Sequence, residues 1–204
     1  MTDMRNTPVA PTSQGAPFAI RAERASDVAQ REALLDACFG DNRQMRTCQR
    51  LRDGRAPAAG LSLSAVRKGR LVGTVRLWHV SAGGIPALIL GPLAVEQSCR
   101  KLGVGAALMA RALAAAMERG HRAVILLGDA PYYARFGFSA AKTANLMLPG
   151  SFERERLLGL ELQAGALDGA WGMIVPTGAT APKARGVRGK KSVNKSARLV
   201  PHAA

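Results

Sequence analysis

The stretch Leu88–Met117, LILGPLAVEQSCRKLGVGAALMARALAAAM, limits what this chain can fold into more than any other. Leu88–Leu90 and Leu93–Val95 read as one apolar strand interrupted at Gly91-Pro92. Proline removes a backbone donor, so within a sheet it marks an edge or a bulge. Such an irregularity re-aims the chain and is common beside active sites. The sequence turns polar from Glu96 through Arg100-Lys101, and then Gly103 and Gly105 open a helix predicted to run to Arg119. The first turn of a helix carries unpaired N–H groups and the positive end of the helix dipole. Glycines there let an anion approach the backbone, which makes Leu102, Gly103, Val104, Gly105 and Ala106 a phosphate cradle, with Arg100 and Lys101 adding charge beside it.

Three known cradles compare with this one. A Walker A loop needs a lysine after its second glycine, and none follows Gly103 at that spacing. A dinucleotide fold places its glycines directly after a strand, whereas Glu96–Leu102 separate Val95 from Gly103 here. The third pattern, R/Q-x-x-G-x-G/A, is met by Arg100, Gly103 and Gly105 and resembles the acetyl-coenzyme A signature of the GNAT acetyltransferases. Tyr133, four residues before Gly137-Phe138, matches a second pattern of that family. GDAPYYARFGF, with the later LGLELQAGAL, looks most like its YhbS-like branch, and the resemblance spans residues 18–176. It implies the GNAT acyl-CoA N-acyltransferase fold, an α/β (α+β) architecture with a mixed, mostly antiparallel sheet flanked by helices.

The remaining sequence fits one domain with tails. Residues 1–16 are polar and read as disordered, 17–178 as the domain, and 179–204 as a basic disordered tail. That tail holds Lys183, Arg185, Arg188, Lys190, Lys191, Lys195 and Arg198 with no acid, a large part of the net charge of +15. It reads either as a solvated segment or as a weak, nonspecific contact for nucleic acid or an acidic partner. Phe18–Glu23, Leu61–Val66 and Leu71–Val80 read as strands, the last with Leu71, Val75 and Leu77 on one face. Ser26-Asp27 starts a helix that Gly40 stops, and a second helix is expected from Arg43 to Asp53. The resemblance implies that this second helix faces the acceptor. Its arginines, Arg43, Arg46, Arg50 and Arg52, read as a solvated face or as a surface for an anionic partner. In the central helix Val104, Leu108, Ala112 and Ala115 form one stripe and Met109, Leu113 and Met117 another, with Arg111 and Glu118 on the polar side. Ala123–Leu127 reads as a buried parallel strand, and Pro131 as the first turn of a short helix. Phe138–Ala141, Asn145–Leu148, Gly159–Leu162 and Gly172–Val175 are the last strand candidates.

No apolar run reaches the roughly 18 residues of a membrane span, and the N-terminus has no signal-peptide core. A cytoplasmic protein without membrane contact is expected. The three cysteines, Cys38, Cys48 and Cys99, and the scattered His79, His121 and His202 argue against a disulfide framework or a metal site.

The resemblance implies that acetyl-CoA is the cosubstrate. Its diphosphate would lie on the amides of Leu102–Ala106, and its pantetheine arm would pair with Leu93, Ala94 and Val95 as a neighbouring strand. Lys101 stands where the family often has glycine, and Leu102 where it often has a basic residue; a backbone cradle depends on neither side chain. Tyr133 is the candidate acid for the departing thiolate, or a side chain packed over the pantetheine. Glu96, at the strand end, and His79, on the neighbouring strand, are candidates for the base, with a water chain as the alternative. The function expected is N-acetyl transfer from acetyl-CoA to an amine acceptor by direct attack in a ternary complex. The alternatives are a non-catalytic acyl-CoA-binding module and a nucleic-acid-binding protein led by its tail. A homodimer is left open.

Overall fold

A computed structural model describes residues 17–181; the predicted segment 1–16 and the seven basic residues of the predicted tail lie outside the described residues. Strands β1 (Ala19–Ala22), β2 (Ser62–Arg67), β3 (Arg70–Ala82), β4 (Ile85–Val95), β5 (Ala123–Leu127) and β7 (Leu157–Glu161) lie side by side in that order. The short β6 (Leu146–Met147) pairs with β8 (Gly172–Pro176), which also pairs with β3. Neighbours are antiparallel except β4 with β5 and β6 with β8. Three helices accompany the sheet: α1 (Val28–Phe39), α2 (Val104–Glu118) and α3 (Ala130–Ala134).

Helix α2 covers one face of the sheet. Val104, Leu108, Met109, Ala112, Ala115 and Ala116 are buried against Val72, Val75, Leu77, Leu88 and Leu90. Gly73 lets the helix lie close, since a Cβ there would stand 2.9 Å from both Leu108 and Val104. The opposite face is covered by Leu34 and Leu35 of α1 on Leu71 and Ala94, and by a second cluster around Trp78, Val80 and Ile89. Buried charges fasten α1 to the sheet. Arg31 and Arg76 both bind Glu23, and Asp27 accepts from Arg21, from the Ser64 hydroxyl and from the Arg24 amide.

Two bulges set which side chain faces which layer. In β3 the pairing slips at Val72, so Leu71 faces α1 while Val75 and Leu77 face α2. The single predicted face of Leu71, Val75 and Leu77 is therefore split, because an extra residue reverses the alternation beyond it. In β4, Gly91 and Pro92 stand opposite Arg76 alone, joined by a cis peptide bond. The Trp78 indole donates to the Gly91 carbonyl at 2.6 Å. Beyond this bulge Leu93 and Val95 continue the α2 face that Leu88 and Leu90 began.

Other expectations are corrected. Residues 41–51 are not one helix but two 3-10 turns, Asp41–Met45 and Thr47–Leu51, broken by extended backbone at Arg46. Met117 is exposed rather than part of an apolar stripe, because Ala115 and Ala116 occupy the buried side of the last turn. Phe138–Ala141 is no strand: Ser139 makes one bridge to Gly159, and a 3-10 turn, Ala140–Thr143, follows. Beyond the predicted boundary at 178, Ala56 donates to Ala179 and Ala181 donates to Gly54. No helix among the described residues is long and apolar enough to cross a membrane.

Candidate active site

The start of α2 is built as the spacing of its glycines suggests. A 3-10 turn, Gln97–Leu102, ends at Gly103, whose left-handed φ of 75° redirects the chain into the helix. The first helical bond runs from Ala107 to the Gly103 carbonyl at 3.0 Å. The amides of Val104, Gly105 and Ala106 therefore precede any helical partner, and no side chain caps them. A Cβ on Gly105 would stand 3.0 Å from the Tyr132 hydroxyl and 3.6 Å from Val95. The glycine leaves room for a ligand between helix, strand and tyrosine. Val104 is fully buried in the core and offers only its amide, whereas Arg100 and Lys101 are exposed at the mouth.

Beside this cradle the sheet opens. The parallel pair β4 and β5 is joined only at Leu88 with Val124 and Ile89 with Ile125. Past that point the strands part, and a cavity of about 880 Å³ lies between Leu90–Val95 and Leu126–Asp129. Its other walls come from the end of α1 (Cys38, Phe39), from the 3-10 turns (Arg43, Arg46, Cys48, Arg52) and from Ser151–Glu153 with Arg156. Arg100 and Gly105 stand at one end of it.

Tyr133 lines the same cavity. Pro131 sits in the first turn of α3, and the Tyr133 amide donates to the Asp129 carbonyl at 3.1 Å. Its ring meets Tyr132 edge-on at 4.9 Å and Phe138 at 6.0 Å. Burial, with smaller contributions from Tyr132 and Asp129, pushes its phenol up to about 12. The hydroxyl is thus a proton-bearing donor throughout the neutral range.

Leu93, Ala94, Val95, Arg100, Gly105 and Tyr133 are brought together by the cavity; Lys101, Leu102, Gly103, Val104 and Ala106 are not part of its lining and lie next to Arg100 and Gly105 in the chain, at the helix start. The two candidate bases stand elsewhere. Glu96 lines a separate hollow of about 140 Å³ with Arg67, Arg70 and Ser98. There it accepts from the Ser98 hydroxyl at 3.2 Å and faces Arg70 at 3.8 Å. His79 packs against His121, ring centres 5.2 Å apart. The carboxylates that do line the large cavity are Asp129 and Glu153, which no spacing in the sequence singles out. Arg52 belongs to the cavity wall rather than to a solvated helix face. Among the described residues no three His, Cys, Asp or Glu side chains stand together as a metal site.

Comparison with known proteins agrees with this geometry. The profile of the Acetyltransferase (GNAT) family matches residues 28–138. The chain is 30% identical over 162 residues to the Escherichia coli protein named uncharacterized N-acetyltransferase YhbS, covering 76% of this chain and 93% of that one. The crystal structure of E. coli YhbS in complex with CoA superposes with a TM-score of 0.68 at 28% identity, covering 82% of this chain and 94% of that one. A GNAT acetyltransferase from Brucella melitensis in complex with acetyl-CoA superposes with a TM-score of 0.61 at 25% identity, covering 80% and 97%. On the profile, on the YhbS relative and on the parted sheet beside a glycine-led helix, the chain belongs to the GNAT acetyltransferase family.

Proposed function

We propose that this chain transfers an acetyl group from acetyl-CoA to a primary amine, the amine attacking the thioester while both are bound. One observation carries the reading: a single cavity runs along the unpaired edge of β4, with Gly105 and Arg100 at its mouth and Tyr133 on its wall. The solved relatives from E. coli and B. melitensis hold CoA and acetyl-CoA, which supports the same cosubstrate here.

In this reading the amides of Val104, Gly105 and Ala106, with Arg100 and Lys101, hold the diphosphate. Leu102 and Gly103 shape the turn that presents those amides. The free edge of Leu93, Ala94 and Val95 takes the extended pantetheine as a sheet takes another strand. The amine nitrogen forms a bond to the thioester carbon and the carbon–sulfur bond breaks. Tyr133 faces the departing sulfur. A phenol near 12 is a weaker acid than a thiol near about 8.5, so full transfer runs uphill by roughly three pH units, about 4–5 kcal/mol. Tyr133 therefore acts chiefly as a hydrogen-bond donor to the thiolate. Asp129 and Glu153, the latter paired with Arg156 at 3.4 Å, serve as proton acceptors in place of Glu96, His79 or a water chain.

Calorimetry with acetyl-CoA, followed by thiol release over an amine panel, tests this. The expected outcome is coenzyme binding and amine-dependent release of CoA. Binding without release for every amine would turn the assignment to a coenzyme-binding module; absence of binding would remove it.

A further inference from the structure

Residues 41–52 carry four arginines, of which Arg43, Arg46 and Arg52 line the cavity and Arg50 does not, and three of the four have partners. Arg43 donates to Asp36 at 2.6 Å and also reaches Glu32. The Arg46 guanidinium lies 5.0 Å over the Phe39 ring and donates to the Phe39 carbonyl at 3.5 Å. Arg50 donates to the Pro149 carbonyl at 2.7 Å. Arg52 is different. Its Nε is buried and, among the described residues, has no hydrogen-bond partner. The groups near it do not neutralise it. Asp53 is exposed and takes a hydrogen bond from Gln49 at 2.6 Å. Burial raises the Cys48 thiol, which stays neutral at physiological pH. Burial above all lowers the Arg52 pKa, against a partial offset from Cys48 and Asp53 and with a smaller push from Arg43 and Arg46. A guanidinium nonetheless keeps its charge near neutrality. A half-buried cation whose Nε is shut off from water without a partner is costly to hold, and a ligand that brings an anion relieves that cost.

Position says which ligand. Arg52 Nη1 lies 3.6 Å from the point a Cβ on Gly91 would occupy, at the bulge end of the open β4 edge. Gly105 stands at the Val95 end. Three residues of strand, Pro92–Ala94, separate the two, about 10 Å given the bulge at Gly91-Pro92. Arg52 thus stands at the opposite end of this edge from Gly105, the end that the acetyl-transfer reading leaves for the acceptor. Asp129 and Glu153 line the cavity too. Glu153 is paired with Arg156 at 3.4 Å, which leaves Asp129 to suit the cationic end of a small zwitterion.

Resting on the acetyl-transfer reading, we infer that the acceptor is an amine that also carries a carboxylate, and that Arg52 binds this carboxylate and selects the substrate. The planar fork of arginine matches a carboxylate with two parallel hydrogen bonds.

The test uses matched amines with acetyl-CoA: β-alanine with β-alaninamide, glycine with glycinamide, phosphoethanolamine with ethanolamine, and spermidine. The acids are expected to exceed their amides in kcat/KM by about tenfold or more, the worth of a charge-assisted hydrogen bond. Arg52→Gln should raise KM for the acids by about tenfold and bring each acid-to-amide ratio near one, with KM for acetyl-CoA changed by less than about twofold. Arg52→Lys, which keeps the charge without the fork, should restore part of the preference. Independently of turnover, N-acetyl-β-alanine should bind the CoA-loaded protein in calorimetry and lose that binding in Arg52→Gln. Amides or spermidine equal to the acids, phosphoethanolamine ahead of every carboxylate, or an Arg52→Gln effect on acetyl-CoA alone would overturn the inference. Turnover without acid preference sinks this inference only, whereas bound acetyl-CoA with no release for any amine sinks the acetyl-transfer reading beneath it.

Discussion

A methyl group placed on Gly128 would stand 2.3 Å from Cε2 of Tyr133. The tyrosine ring is seated directly on bare backbone at the end of β5. Gly128 lies outside the positive-φ region, so alanine is excluded there by space alone. Gly128→Ala should push the ring off its seat and lower kcat by about tenfold, as expected when a donor moves by about an ångström. Steady-state kinetics check this, with thermal melting to show that the fold persists.

Tyr133→Phe should lower kcat by about tenfold or more and change KM for acetyl-CoA by less than about twofold, since only a transition-state contact is lost. The pH dependence follows from the raised phenol. With its pKa near 12, Tyr133 keeps its proton throughout the neutral and mildly alkaline range. A loss of kcat between about pH 8 and 10 that disappears in Tyr133→Phe would contradict this, because an unperturbed phenol titrates near about 10.

Gly105→Glu should abolish measurable acetyl-CoA binding in calorimetry, because it places a carboxylate where the helix start exposes its amides. Gly105→Ala should weaken binding far less. Its Cβ crowds only the hydroxyl tip of Tyr132, at 3.0 Å, and brings no charge.

Asp27 sets a pH limit on stability. Hydrogen bonds from Arg21, from the Arg24 amide and from Ser64 hold its carboxyl well below the usual carboxylate range despite its burial. A depressed folded-state pKa stabilises the fold fully above the unfolded value, about 3.9, and that contribution is lost as the pH falls below it. Asp27→Asn should therefore destabilise the protein at pH 7 by about 1–3 kcal/mol. Its urea midpoint should also fall less than that of the wild type between about pH 5 and pH 2. Denaturation curves at several pH values decide the matter.

The start of α2 was legible because its determinants are local. Gly103 and Gly105 act through their own backbone, and Val104, Leu108 and Ala112 recur at the helical period. The meander of β2, β3 and β4 was legible for the same reason, with Lys68-Gly69 and Gly83-Gly84 marking its turns. The reversal at Val72 was not, because a bulge exists only relative to a partner strand. Arg52 escaped for a related reason. A helical reading of residues 43–53 puts its arginines toward water, but the observed turns are held by distant backbone: Thr47 donates to Ser151 at 2.6 Å and Arg50 to Pro149. Asp129 and Glu153 become neighbours of the site only once β4 and β5 part.

The bonds between Gly54–Ala56 and Ala179–Ala181 have a reach that their size conceals. They clasp the loop just after Arg52 to a segment some forty positions beyond the family match, which ends at 138. If the acceptor enters beside Arg52, as proposed, its entrance is braced from outside the span that the family profile matches. A change at Ala179–Ala181 would then reshape that entrance without touching the start of α2.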